Sequence, residues 1–329
     1  MKERNSSIEI LRAFCIFGIL IMHSLGRFLA DISGINLGIA IFVNSVFNMT
    51  SMCLILISGY YGLHFSMKKV LNLELLCLFW SVTDLALSFA QGLPVNRNSI
   101  ICALFPTLTS KSWFVTGYMI LLIFSDFVND FLDSLDEDRF RRFLLIMIII
   151  FFVAPTIIYI DIFGTGGKDI IHLFVAYVLG RYIRKYRDKE YNPRSIWLCL
   201  SGVIITAFIC NLVTETMGVR FWFCRDCSVF MLAEAVMFFL LLKDKYISSK
   251  IINYLFRNIL SVLLGERVAL FLWDKYFIGC ITLPDDYELW TGVLLSALFA
   301  FVFGIAVEKI RSPIADAIIS QIIRYNGSL

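Results

Sequence analysis

Apolar residues in this chain fall into long runs separated by short polar stretches, from one end to the other. Runs close to the roughly 20 residues that carry a helix across a bilayer recur at about 8–28, 38–63, 70–92, 113–131, 142–161, 169–184, 195–214, 226–242, 251–273 and 289–309. The pattern predicts an all-α, polytopic membrane bundle of about ten transmembrane helices. No loop is long enough for a separate soluble domain, so residues 1–329 read as one membrane domain. No internal or inverted repeat of the transporter kind is visible. The first run carries ionisable groups and lacks a small-residue cleavage site, so it reads as a retained span rather than a signal peptide. The least regular run is 251–273, where "LGERV" at 264–268 predicts an interruption or an early end.

Composition agrees with that pattern. Hydrophobic residues make up 59% of the chain and charged residues 17%, against roughly 25% charged in a soluble domain. The net charge of +3 is small and its basic residues are scattered among loops, which argues for membrane topology and against nucleic-acid binding. With a cytoplasmic N-terminus, the outer segments hold seven basic residues: Arg27, Arg97, Lys111, Lys168, Arg220, Arg225 and Lys275. The inner segments hold eighteen, among them Lys2, Arg4, Lys68, Lys69 and the run around Arg184 and Lys185. Positive charge stays on the cytoplasmic side of membrane proteins, so both termini are placed there. Most of the nine cysteines lie in apolar runs as small hydrophobes. Cys224 and Cys227 form a C-x-x-C in a loop; with no second pair nearby it is a disulfide or redox pair, or two unrelated thiols, rather than a metal site.

Ionisable side chains inside spans are costly and default to functional candidates. The first span carries three: Glu9, Arg12 and His23. Eleven residues at 100° each bring Arg12 and His23 to within about 20° of the same helix face, roughly 16 Å apart along the axis. Glu9 stands one turn before Arg12 and can hold its guanidinium. A guanidinium near the cytoplasm suits an anionic cofactor, and a histidine deeper in can take a proton from a hydroxyl at neutral pH. The bland alternative has Arg12 snorkelling to headgroups and His23 at the outer interface. The functional reading requires both to face one internal passage.

"RNSSIEILRAFCIFGILIMHS" (4–24) resembles the opening of acyltransferase family 3, integral-membrane enzymes that modify cell-surface polysaccharides and related envelope molecules. The likeness lies in an arginine, ten residues and a histidine, here Arg12 and His23, preceded by an acidic residue, here Glu9. "ILISGYYG" (55–62) is similar to the family's Ser-Gly-Tyr, "SWFVTGYMILLIFSDFVN" (112–129) to its Trp-Phe and Tyr stretch, and "AYVLGRYIRKY" (176–186) to its helix ending in Gly, Tyr and a basic run. The resemblance implies transfer of an acyl group, usually acetyl from acetyl-CoA, to a sugar hydroxyl. It implies His23 as the catalytic histidine and Arg12 as essential, through the CoA donor. In one place the chain departs from the family. A second histidine late in the chain is replaced within "LSVLLGERVALFLW" (260–273), where Glu266 and Arg267 are the nearby ionisable groups.

The remaining candidates divide by face. Tyr60, in Ser58-Gly59-Tyr60, with Arg184 and Lys185, falls on the cytoplasmic side with Arg12 and could meet a CoA donor, although small residues also serve helix packing. Trp113, Tyr118, His172 and Glu266 fall toward the outer side as acceptor candidates, although interfacial aromatics are common without function. Asp84 and Glu234 lie inside spans and call for partners or a polar cavity. His64 reads as interfacial and Asp126 as ordinary. "FGTGGKD" (163–169) lacks the full phosphate-loop pattern and reads as a turn. The expectation is therefore an O-acyltransferase of the cell membrane with no metal. Its partners are acyl-CoA, a glycan or lipid-linked saccharide and membrane lipids. The rivals are a transporter or flippase working through the same buried charges, and an inactive relative in a polysaccharide assembly complex.

Overall fold

The computed structural model describes residues 5–277 and 288–326. Lys2 and Arg4, counted above with the inner charges, lie outside them. The described residues are helical, with no strand among them. In chain order the helices are α1 (Ser6–Gly26), α2 (Gly34–Phe47), α3 (Thr50–Tyr61), α4 (Met67–Ala90), α5 (Arg97–Leu104), α6 (Trp113–Ser134) and α7 (Glu137–Ile148). There follow α8 (Ala154–Ile158), α9 (Ile170–Tyr186), α10 (Pro193–Thr216), α11 (Val229–Lys243), α12 (Lys250–Leu255), α13 (Leu260–Phe277) and α14 (Glu288–Asn326).

Each of the ten predicted spans falls on helix, and seven stretches are long and apolar enough to cross a membrane: α1, α2 with α3, α4, α6, α7 with α8, α10 and α14. α9 has 17 residues and α11 has 15. α13 has 18, with Glu266, Arg267, Asp274 and Lys275 among them. Three local features depart from the hydropathy pattern. The 38–63 run bends at Asn48, whose amide leaves its own helix to donate to the Cys224 carbonyl. The 142–161 run passes through a π-turn at Ile149–Val153 just before Pro155, which has no N–H to give. The predicted interruption at 264–268 is corrected. α13 runs unbroken through it, and the chain breaks instead between Leu255 and Leu260, where Asn258 donates 2.8 Å to Glu308. Glu266 and Arg267 are helical and both find side-chain partners, described below. Short α5, whose amides are capped by Asn96, is an element that apolar run length misses.

α3 is the hub, buried along nearly its whole length against α1, α9 and α11. It touches α9 backbone to backbone. A methyl on Gly59 would overlap the Tyr177 carbonyl, and one on Gly180 would overlap the Leu56 carbonyl. Where the two helices leave this contact, the Tyr177 hydroxyl donates 2.7 Å to Asn129 of α6 and accepts from the Leu63 amide at 3.2 Å, while Asn129 donates 2.7 Å to the Leu63 carbonyl. The stretches 55–62, 112–129 and 176–186 thus meet in a closed hydrogen-bonded knot.

The loops sort onto two faces. On one, Asn5 and Ser6 bond to Lys245, Ile247 and Ser249, Tyr60 to Asp188, and Arg187 to Glu137. On the other, Arg27 pairs with Asp274, Arg220 donates to the Leu29 carbonyl, and Cys227 bonds back to Gly166. This is the segregation that an alternating topology requires.

Candidate functional site

A cavity of about 450 Å³ opens in the half of the bundle away from the N-terminus, a size usual for a small-ligand site. α1 contributes Ile19, Met22 and His23 to its wall, α4 contributes Trp80 and Asp84, and α13 contributes Glu266 and Arg267. The segments between the helices and the start of α6 add Thr107, Lys111, Trp113, Lys168 and Asp226. α13 is set against α4 by Trp80, whose indole N–H donates 2.9 Å to Ser261 and whose ring lies over Gly265, where any Cβ would collide with it. That packing presents the next two residues, Glu266 and Arg267, to the cavity.

His23 Nδ1 lies 2.9 and 2.8 Å from the two oxygens of Glu266. A carboxylate can only accept, so Nδ1 carries the hydrogen, and in the neutral imidazole Nε2 is then the nitrogen with the free lone pair. The Glu266 side chain is 15% exposed and that of His23 is 52%, so the carboxylate is sheltered while the imidazole is open to the cavity. One helical turn on, Arg27 pairs with Asp274 at 2.7 Å and clamps the same two helices. Beside this dyad Asp84 takes two cations: Lys111 at 2.9 Å and Arg267 at 3.1 Å. The wall as a whole carries three cations, Lys111, Lys168 and Arg267, and three acids, Asp84, Asp226 and Glu266, so its formal charges balance. Ser51 donates 2.5 Å to the buried Asp226 at the far side.

Arg12 does not line this cavity, whose α1 wall ends at Ile19, about 10 Å short of it along the helix. The expectation that Arg12 and His23 open to one cavity is therefore corrected: Cys15, Ile16 and Leu20 are fully buried between them. Its guanidinium lies 3.5 Å from Glu9, as the spacing predicted, and within electrostatic range of Tyr61. Tyr60, next in the chain, donates 2.6 Å to Asp188 and accepts 3.2 Å from Arg184, whose guanidinium also covers its ring. Lys243, fully buried at its side chain, completes the group at 3.3 Å from Asp188. Burial opposes charge on Asp188, but the hydrogen bond from Tyr60 and the pairing with Lys243 and Arg184 outweigh it and hold the carboxyl below its usual range. Arg12, Tyr60 and Arg184 therefore share one neighbourhood, on the face opposite the cavity. Lys185 turns elsewhere and caps the carbonyls of Asp133 and Leu135.

Among the acceptor candidates, Trp113 and Glu266 line the cavity, whereas Tyr118 and His172 do not. His172 is buried with both ring nitrogens engaged, Nδ1 with Asp169 and Nε2 with the Phe151 carbonyl, each at 2.9 Å. Glu234 is fully buried in α11 and finds no hydrogen-bond partner among the described residues. His64 is exposed, 3.3 Å from Asp126. Cys224 and Cys227 are free, buried thiols; burial pushes Cys224 up to about 12. No group of three or more metal-ligating side chains gathers among the described residues. Lys111, Asp226, Ser51 and Lys168 are the wall residues that sequence reasoning missed as site residues. The first and last had registered only as loop charges.

The family model of the acyltransferase domain matches residues 5–309 of the chain. None of the curated proteins and none of the solved structures matches it.

Proposed function

We infer the function from one premise: the chain belongs to acyltransferase family 3, whose domain covers residues 5–309, and it is a multi-pass membrane protein. On that footing it is an O-acyltransferase that moves an acetyl group from cytoplasmic acetyl-CoA to a hydroxyl of an envelope polysaccharide or related glycan. It works in the cytoplasmic membrane with both termini inside. The observation that carries this reading is the His23–Glu266 contact at 2.8 Å on the wall of a polar cavity. It also answers the family's missing late histidine, because the chain places a carboxylate there and aims it at the first-helix histidine.

The chemistry follows from that contact. Glu266 fixes the imidazole and leaves Nε2 as the base. Nε2 removes the proton of the acceptor hydroxyl as its oxygen bonds to the thioester carbonyl carbon. Negative charge collects on the former carbonyl oxygen, and the cations Arg267 and Lys111 of the same wall stand ready to stabilise it. The C–S bond then breaks, the thiolate takes the proton back from Nε2, and ester and free thiol leave. Arg12 and Arg184, on the other face, hold the anionic end of the donor, with Arg12 roughly 16 Å along α1 from His23.

The test is labelled acetyl-CoA turnover by the purified chain in detergent with a glycan acceptor. His23→Ala should lower kcat by about 10²–10⁴-fold, and Arg12→Ala should raise the donor KM more than it lowers kcat. Glu266→Gln should lower kcat with little change in either KM. Equal CoA release by the wild type, His23→Ala and Arg12→Ala would defeat the reading, and proton-coupled saccharide movement without turnover would establish the transport rival.

A further inference from the structure

A second cavity, about 260 Å³, adjoins the first, and Asn48, Lys168 and Asp226 line both. Its remaining wall includes Asn44, Thr165 and Phe221. Two loops build it. The 163–169 turn is gathered round Asp161, whose carboxylate accepts from the amides of Phe163, Thr165 and Gly166 at 3.0–3.1 Å. Gly167, at φ +94°, then lies flat on the backbone of Asp226 and Cys227, closer than any side-chain-bearing residue could come. The Cys227 amide bonds the Gly166 carbonyl at 3.1 Å. The result is to carry Lys168 to the seam between the cavities.

The charges there are unequally committed. Arg225 is spent on the carbonyls of Pro155 and Tyr159. Asp226 is buried and bonded by Ser51. Lys168 is exposed and feels Asp226 electrostatically, yet no acidic group lies within ion-pair distance of its ammonium among the described residues. Asn44 and Asn48 each commit one amide N–H, to the Ala40 and Cys224 carbonyls, and the Thr165 hydroxyl donates to Asp169. The amide oxygens and remaining N–H groups, with the aromatic wall of Phe221, offer hydrogen bonds and an apolar face, a combination that suits a polyhydroxylated ring. An ammonium without a partner at the edge of such a wall suits an anionic substituent on it.

We propose that this second cavity is an acceptor subsite, taking the saccharide unit next to the one acylated, and that Lys168 selects an acceptor bearing an anionic group there. The proposal rests on the acyl-transfer reading for what happens in the first cavity. Three probes separate the sources of charge: a galacturonate tetrasaccharide, its carboxyl-reduced neutral counterpart, and that neutral counterpart carrying a single phosphate. Affinities are measured by calorimetry on the full chain in detergent, and acetyl-CoA turnover is followed on the same preparation. Wild type should prefer at least one anionic probe over the neutral one by about tenfold. Lys168→Ala should bring that ratio close to one, and Lys168→Arg should keep it. Equal affinity of the wild type for all three, binding of none, or an unchanged ratio in Lys168→Ala overturns the subsite. If the ratio fails but turnover still depends on His23, acyl transfer stands without it; if the ratio holds and turnover is absent, the subsite stands and acyl transfer falls.

Discussion

Single side chains in this bundle differ in whether burial has been compensated. Glu266 and Asp84 lie within the bundle but meet opposite charges or an imidazole. Glu234 has no exposed surface and meets none among the described residues. An uncompensated buried polar group costs roughly 1–3 kcal/mol. Glu234→Met, which keeps the length and removes the carboxyl, should raise the thermal midpoint in detergent; a fall would mean that the carboxyl has a partner in the working protein. The sequence marked Glu234 and Asp84 alike, as acids in apolar runs, and singled out Glu266 only as an acceptor candidate where the family's late histidine is replaced. It could not tell Asp84 from Glu234 or name the partner of Glu266, since the partners of Asp84 and Glu266 come from segments distant in the chain. Arg12 and His23 were legible as a pair on one helix face. The cavity was not, because its wall draws on residues from 19 to 267.

Helices here are positioned by small residues and by ties at their ends. Because Gly59 and Gly180 each lie against a facing carbonyl, Gly180→Ala should cost about 1–3 kcal/mol and lower the midpoint, with Gly59→Ala doing the same; an unchanged midpoint in both would show that the helices slide apart freely. Beyond the end of α9, Asp188 gathers Tyr60, Arg184 and Lys243. Its pKa is lower folded than unfolded, so its contribution to stability is present above the unfolded value of about 3.9 and fades as pH falls through the folded one. Asp188→Asn should therefore lower the midpoint at pH 7 and flatten its decline on acidification below about pH 4. Equal slopes in both proteins would assign the acid limb to other carboxyls. Run length and apolarity were enough to find the long helices. They mislocated the break near α13, because the residues that looked disruptive, Glu266 and Arg267, are the ones that meet His23 and Asp84.

At the scale of the whole molecule, two polar neighbourhoods occupy opposite faces of one apolar body. The Arg12–Tyr60–Arg184 group belongs to the face that carries Asn5 and Lys245, and the His23 cavity to the face that carries Lys168 and Asp226. The separation matches a reaction whose donor is made on one side and whose acceptor is displayed on the other. It predicts a simple labelling result in intact cells. A cysteine at Thr165 should react with a membrane-impermeant maleimide, whereas one at Lys245 should react only after permeabilisation. The reverse outcome would invert the orientation drawn from the Lys and Arg bias.

The loops that frame the second cavity are joined by the Gly166–Cys227 backbone bond and the Asp161 turn, while Cys224 and Cys227 remain thiols. Nothing in that joint depends on electrons being withdrawn. The face that carries Lys168 and Asp226 should thus keep its shape whether the surroundings are reducing or oxidising, and the protein should tolerate dithiothreitol and aerobic storage equally well.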